Sequence, residues 1–303
     1  MNQINEINAW SLYWSEDRLY SCVAQSSDDD QAMLNKVWQN FSQGLAPNSH
    51  LLDLATGNGA VVHAVLAVNE SLQIDAVDKA SIDPQKFLEE KGHLVNVHSE
   101  TDIFSLSFPP ASFDAITSQF GVEYAGLGEA SQHVMPYLKM GGRFQFVVHH
   151  AQSGIILSSK KKIIELEQLT QPSGVLEVLL EFLTGKVEYS MLEATGQAYL
   201  KQDLLRSEAI SGQVFAGIEL ILERIDANMK ESLELGVAMN LRVQSELTRL
   251  RQLVAAGHTE QAMSSWLEKI TAQGLEARFS PLYLDPGESD YLLGWLASGV
   301  RSK

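Results

Sequence analysis

The sequence is poor in cysteine, in basic residues and in long apolar runs. Its single cysteine, Cys22, cannot form a disulfide within the chain and excludes a cysteine-rich metal site. Lys and Arg number 22 against 38 Asp and Glu, a net charge of −16, and a surface this acidic repels nucleic acid and anionic lipid. No run reaches the roughly 20 apolar residues of a membrane span, and residues 1–20 lack the pattern of a secretory signal. We therefore expect a cytoplasmic protein without nucleic-acid or membrane partners.

What the chain does contain is a change of hydrophobic pattern near residue 48. Residues 7–44 are predicted to be helical, with a break at SSDDD. Between 48 and 150, helix-length segments, the last of them 128–142, alternate with short apolar runs at 50–55, 72–78, 93–100, 113–120 and 143–150. This alternation predicts an α/β, Rossmann-like fold whose mostly parallel sheet carries helices on both faces.

The strand pattern stops after His150. Apolar residues then recur at helical spacing in the segments 154–169, 175–185, 190–205, 214–236, 238–257 and 259–274. Residues 275–300 form two strand-like runs around DPGESD, which predicts an antiparallel hairpin at the edge of the same sheet. The predicted domains are an N-terminal helical cap (1–47), a Rossmann-like cofactor-binding domain (48–150 and 273–303) and a helical insertion (151–272). The insertion is expected to form an acceptor pocket, a lid or a homodimer surface.

The segment LLDLATGNGAVV, residues 51–62, has the pattern of a strand that turns into a helix around a nucleotide. Gly57 and Gly59 permit backbone angles closed to other residues and leave the main chain open to a ligand. A dinucleotide fingerprint requires a third glycine where this chain has Val62, and Asp53 at the strand end would repel a pyrophosphate. A carboxylate at Asp78, which ends the next strand, can accept hydrogen bonds from both ribose hydroxyls. The pattern favours an adenosine ligand with cationic groups, S-adenosylmethionine, over a nicotinamide dinucleotide.

Four segments, LLDLATGNG, IDAVDKA, SETDIFSLSFPPASFDAITSQFGVEY and LKMGGRFQFVV, resemble the successive motifs of class I S-adenosylmethionine-dependent methyltransferases. The resemblance covers residues 48–150, and 275–300 resembles the closing antiparallel strands of that fold. It departs at Ala55, where the family often has a glycine. The resemblance implies S-adenosyl-L-methionine as the cofactor and methyl transfer as the activity.

The resemblance also implies which residues contact the cofactor. These are Tyr13, Asp53, Ala55, Gly57, Gly59, Asp78, Lys79, Asp102, Ile103, Ser118 and Gln119. The glycine turn would line the methionine end, Asp78 would hold the ribose with Lys79 beside it, and Asp102 and Ile103 would meet the adenine. Ser118 and Gln119 would form the floor beneath the sulfonium. Tyr13 and Trp14 would either cover the cofactor or pack as helical core aromatics.

Methyl transfer from a sulfonium mainly requires alignment of the acceptor with the methyl group, so no fixed catalytic motif is expected. The candidate catalytic residues are His150, as a base or acceptor-positioning group, and Glu123, which with Tyr124 could bind an acceptor's amine or hydroxyl. The alternatives are a capping or core histidine and a solvated loop. Because adjacent strand residues point to opposite faces, at most one of His149 and His150 should face the ligand.

Three functions follow as hypotheses. The first is methyl transfer to a small-molecule acceptor by in-line displacement. The second is a non-catalytic protein that binds S-adenosylmethionine or S-adenosylhomocysteine, and the third is a nicotinamide-dependent oxidoreductase. No metal site is expected, because the histidines lack metal-ligand spacing.

Overall fold

In a computed structural model, the protein is built around one seven-stranded sheet in the order β3-β2-β1-β4-β5-β7-β6. The structure describes residues 6–16, 18–21, 28–88, 95–202, 209–284 and 291–302. Cys22 and the predicted turn DPGESD lie outside these residues. The strands are β1 His50–Leu54, β2 Gln73–Val77, β3 Val95–His98, β4 Phe113–Gln119, β5 Leu138–His149, β6 Leu275–Leu284 and β7 Tyr291–Arg301.

The helices precede, alternate with and follow the parallel strands. They are α1 Glu6–Trp14, α2 Asp28–Gln43, α3 Ala60–Leu66, α4 Gln85–Leu88, α5 Leu127–Val134, α6 Gly154–Thr170, α7 Val175–Leu183, α8 Tyr189–Leu200, α9 Ala209–Leu222, α10 Met229–Ala255 and α11 Glu260–Thr271. None of the described helices combines the length and the apolar character that crossing a membrane requires.

Strands β1 to β5 are parallel, and β7 lies antiparallel between β5 and β6. Successive β1 residues face opposite sides of the sheet: Leu51 packs in a core with α2 and α3, whereas Leu52 and Leu54 pack in a core with α5 and α11. The predicted fold class is therefore confirmed. Because the strand order reverses between β1 and β4, the carboxyl ends of these two strands form the edge where such a sheet binds its ligands.

The chain divides into two compact units. One unit comprises residues 13–156 and 253–303 and contains the sheet. The other comprises residues 1–12 and 157–252, and buried side chains of α6 to α10 form its core. These boundaries differ from the predicted insertion of 151–272, because α11 belongs to the unit of the sheet.

The sequence misplaced two element boundaries. Residues 138–142, predicted as the end of a helix, begin β5 instead, where the β4–β5 register shifts between Phe113 and Ala115. The segment 214–236, predicted as one helix, is divided between α9 and α10. The helical spacing of apolar residues continues across the break, so this spacing alone does not show where α9 ends and α10 begins.

Helix α11 is attached to the sheet through Trp266. Its side chain is buried, its ring packs edge-on against Phe144 at 6.3 Å, and its Nε1–H donates to Ser131 Oγ at 3.0 Å. We expect Trp266→Ala to lower the free energy of unfolding by about 3–5 kcal/mol, because it leaves a cavity beside the sheet. Chemical denaturation should measure this loss, and Trp266→Phe should lose less. A loss below about 1 kcal/mol for the alanine variant would contradict this assignment of α11.

Candidate nucleotide site

The turn between β1 and α3 has a backbone that few residue types adopt. Ala55, Gly57 and Gly59 have φ angles of 51°, 54° and 86°. Alanine in this left-handed region costs about 1–2 kcal/mol, which explains why glycine is the usual residue where this chain has Ala55. Gly59 caps the N-terminus of α3, and the third position of the dinucleotide fingerprint is the fully buried Val62.

The carboxylate of Asp78 closes this turn onto β2. Its Oδ2 accepts a hydrogen bond from the Gly57 N–H and its Oδ1 accepts one from the Ala80 N–H, both at 2.8 Å. Burial raises the pKa of Asp78 from 3.8 to about 6, although the two N–H groups act in the opposite direction. Each carboxylate oxygen has a second lone pair, so the group can still accept hydrogen bonds from a ligand.

Asp53 lies fully buried at the end of β1. Its Oδ1 accepts a hydrogen bond from Thr117 Oγ1 at 2.7 Å, whereas Oδ2 is buried without a hydrogen bond of acceptable geometry. Burial raises its pKa from 3.8 to about 7; the nearby hydroxyls of Thr56 and Thr117 oppose this rise, and the charge of Asp78 adds to it. An incompletely paired buried carboxylate favours a cationic ligand nearby.

Two further predicted residues are joined by an ion pair beyond β2 and β3. Lys79 Nζ lies 2.8 Å from Asp102 Oδ2. The hydrogen bond from Lys79 lowers the pKa of Asp102, and the N–H of Phe104 adds to this effect. Asp102 also caps the short 3-10 helix Ile103–Ser105, in which Ile103 is buried. The carboxylate predicted to meet adenine therefore already has a cationic partner.

The side chains at the end of β4 are engaged within the protein. Ser118 Oγ donates to the Leu54 carbonyl at 2.9 Å and accepts from the Val122 N–H at 3.0 Å. Gln119 Oε1 accepts from Trp38 Nε1–H at 2.6 Å. Ser118 thus joins the end of β1 to the loop after β4, and Gln119 joins the end of β4 to α2.

Glu123 follows this loop and is nearly fully buried. Its Oε1 accepts from the backbone N–H of His149 at 3.0 Å, and Oε2 is buried without a hydrogen bond of acceptable geometry. Burial raises its pKa from 4.5 to about 7, and the backbone N–H groups of Glu123, His149 and Gly121 oppose this rise. The ring of His149 stacks on Phe120 at 4.5 Å, and its Nε2 lies 3.1 Å from the Tyr124 hydroxyl.

The two strand-end histidines point to different surroundings, as the strand geometry predicted. The His150 ring packs on Trp295 at 4.3 Å, and its Nδ1 accepts from the Gln152 N–H at 2.9 Å. Burial lowers its pKa, against the effect of Glu260. The structure therefore groups Glu123 with His149 and Tyr124, and it does not group Glu123 with the side chain of His150.

Sequence reasoning missed Asn58, which joins the glycine turn to the N-terminal segment. Its Nδ2 donates to the carbonyls of Trp14 at 3.1 Å and Arg18 at 2.8 Å. Tyr13, the predicted cofactor contact, lies edge-on to Trp14 and beneath the Arg18 guanidinium at 4.1 Å. Two glycines around an asparagine suggest a tight turn, but the sequence gives no signal for its distant partners.

Within the described ranges, no three histidine, cysteine, aspartate or glutamate side chains come together in a way that could hold a metal ion. The site instead contains the buried carboxyl groups of Asp53, Asp78 and Glu123, each with a raised pKa. Its charge depends on how many of these groups are ionised near neutral pH.

No family model matches the chain. A curated relative from Bacillus subtilis (strain 168), described as the uncharacterized methyltransferase YcgJ, is 32% identical over 133 residues, or 42% of this chain and 50% of the relative. The chain thus spans half the length of this relative.

Solved structures with similar chains include three methyltransferases. The Burkholderia thailandensis 1,6-didemethyltoxoflavin-N1-methyltransferase, with 1,6-didemethyltoxoflavin and S-adenosylhomocysteine bound, is 16% identical, with 41% of this chain and 54% of that chain covered and a TM-score of 0.34. An Aquifex aeolicus SAM dependent methyltransferase is 16% identical over 41% and 65% of the two chains, with a TM-score of 0.34. The plantazolicin methyltransferase BpumL is 11% identical, with 98% of this chain and 95% of that chain covered and a TM-score of 0.48.

The curated relative is described as a methyltransferase, which is the activity that the resemblance of the motifs implies. The mostly parallel sheet with its antiparallel closing strands agrees with the fold that the same resemblance implies.

Proposed function

We propose that this protein binds S-adenosyl-L-methionine at the β1–α3 glycine turn and transfers its methyl group to a small-molecule acceptor by in-line displacement. The observation that carries the proposal is the contact between Asp78 and Gly57, at the carboxyl ends of β1 and β2. It brings a carboxylate that can accept both ribose hydroxyls to within a hydrogen bond of the glycine turn.

The charge of the site supports this cofactor over a dinucleotide. A pyrophosphate would meet the buried carboxyl groups of Asp53 and Asp78, and their repulsion would oppose binding. S-adenosylmethionine instead brings an ammonium and a sulfonium, which favour ionised carboxylates. The buried Val62 also fills the position at which a dinucleotide fingerprint has its third glycine.

In the proposed reaction, the sulfonium is the leaving group, so the protein must align the acceptor and exclude water, which can contribute about 7–11 kcal/mol. Asp53 would face the cationic end of the cofactor. Glu123, with a pKa raised to about 7, would take the proton of an acceptor amine or hydroxyl or bind that group. A net charge of −16 makes a nucleic-acid acceptor unfavourable.

Calorimetry of the full chain with three ligands tests the proposal. We expect S-adenosylmethionine and S-adenosylhomocysteine to bind with micromolar or tighter affinity and NAD to bind at least about a hundredfold more weakly. Tight binding of NAD alone would contradict the proposal. Formation of S-adenosylhomocysteine from S-adenosylmethionine with a pool of small metabolites then separates an enzyme from a non-catalytic binder.

A further inference from the structure

We propose that Asn58 is a positioning residue of the cofactor site, because it fastens Trp14 over the glycine turn and so controls how fast the cofactor leaves. The inference rests on the proposed function and adds to it a residue and a segment outside the strand ends. We call Tyr13, Trp14 and Arg18 the N-terminal latch.

The latch lies directly on the turn. A Cβ atom placed on Gly57 would lie 2.3 Å from Trp14 Cζ2 and 2.6 Å from Cη2. The indole ring therefore packs against the main chain of Gly57, which the cofactor motif keeps free of a side chain. Gly57 has two reasons to be glycine: its φ of 54° and the contact with this ring.

Asn58 holds the latch by hydrogen bonds. The residue is only 2% exposed, and its Nδ2 donates to two carbonyls of the latch, those of Trp14 and Arg18. Its Oδ1 accepts from the Asp83 N–H at 3.4 Å, in the loop that follows β2. One buried amide thus links the latch, the glycine turn and the loop beyond Asp78. A buried amide that loses its partners is costly, so these bonds keep the latch closed.

The latch is also packed within itself. The Arg18 guanidinium lies over the Tyr13 ring at 4.1 Å and pairs with Glu16, and the Tyr13 and Trp14 rings meet edge-on at 5.1 Å. These aromatic and cationic contacts stabilise the arrangement of the three latch residues. A cofactor whose tail rests on the Gly57 main chain would contact this indole, so the latch must open before the cofactor can leave.

The test uses Asn58→Ala and S-adenosylhomocysteine as the probe, with the full chain immobilised for surface plasmon resonance. We expect its dissociation rate constant to rise at least tenfold. Asn69→Ala is the matched control, since Asn69 Nδ2 also donates to a carbonyl, that of Leu45, beyond the far end of α3. The control should stay within twofold of the parent. A rate constant for Asn58→Ala within twofold of the parent would overturn the proposal.

A second variant gives a readout that a general loss of stability would not produce. S-adenosylhomocysteine should change the tryptophan emission of the parent chain, and Trp14→Phe should remove most of that change. An undiminished change in Trp14→Phe overturns the proposal even if Asn58→Ala does not fold. If the parent binds no S-adenosylhomocysteine, both the proposed function and the role of Asn58 fail. If the parent binds it and the two variants behave like the parent, only the role of Asn58 fails.

Discussion

Asp78→Asn should weaken S-adenosylhomocysteine binding about a hundredfold. An ionised carboxylate can accept both ribose hydroxyls, and two charge-assisted hydrogen bonds together contribute about 3 kcal/mol. This corresponds to about two decades in the dissociation constant. Asparagine also loses one of the two backbone hydrogen bonds that hold Asp78, those from the Gly57 and Ala80 N–H groups. Its NH₂ group can only donate, whereas the carboxylate oxygen that it replaces accepts.

Calorimetry measures the affinity in this experiment, and thermal unfolding shows whether the variant is folded. Asp114→Asn is the matched control, because Asp114 Oδ2 also accepts a backbone N–H, that of His50, at the opposite end of β1. The control should bind the probe within twofold of the parent. Equal affinities for Asp78→Asn and the parent would show that Asp78 does not bind the ribose.

The second large effect is a pH dependence that differs between the cofactor and its product. In the ligand-free protein, the pKa values of Asp53 and Asp78 are raised to about 7 and about 6. The positive charges of S-adenosylmethionine favour the ionised carboxylates, so binding below these values must release protons. Its affinity should therefore rise at least tenfold between pH 5.5 and pH 7.5. S-adenosylhomocysteine, which lacks the sulfonium charge, should gain less.

The same groups set the direction of the stability change. The pKa values of these two groups are higher in the folded chain than in the unfolded chain. Between about pH 4 and pH 7 the folded chain therefore binds more protons than the unfolded chain. The contribution of these two groups to the stability of the ligand-free protein should thus fall as the pH rises through this range. Calorimetry in two buffers of different ionisation enthalpy measures the released protons, and Asp53→Asn should release fewer. A pH-independent affinity for S-adenosylmethionine would contradict this charge coupling.

The sequence predicts the sheet well because its signals are local. The alternation around β1, β2 and β4 follows from buried strands between helices, and the glycines at 57 and 59 mark the turn by their backbone freedom alone. The start of β5 was missed because residues 138–142 carry glycines that are typical of a helix end. No local pattern distinguishes glycines that end a helix from glycines in an irregularly paired strand.

The site could be predicted only in part, because its hydrogen bonds join residues far apart in the sequence. The positions of Asp53 and Asp78 follow from the strand ends, whereas the Trp14 contact and the bonds of Asn58 depend on where the N-terminal segment packs. Glu123 was singled out as an acceptor-binding group, but its bond to the His149 N–H requires the pairing of β4 with β5. The sequence identifies the candidate chemical groups, and the fold determines which of them are in contact.

A crystal structure of the full chain with S-adenosylhomocysteine tests the central claim most directly. We expect both ribose hydroxyls to lie within hydrogen-bond distance of the Asp78 carboxylate, the amino-acid tail to rest on the turn from Gly57 to Gly59, and the Trp14 indole to cover that tail. A ligand bound elsewhere, or a ribose turned away from Asp78, would contradict it.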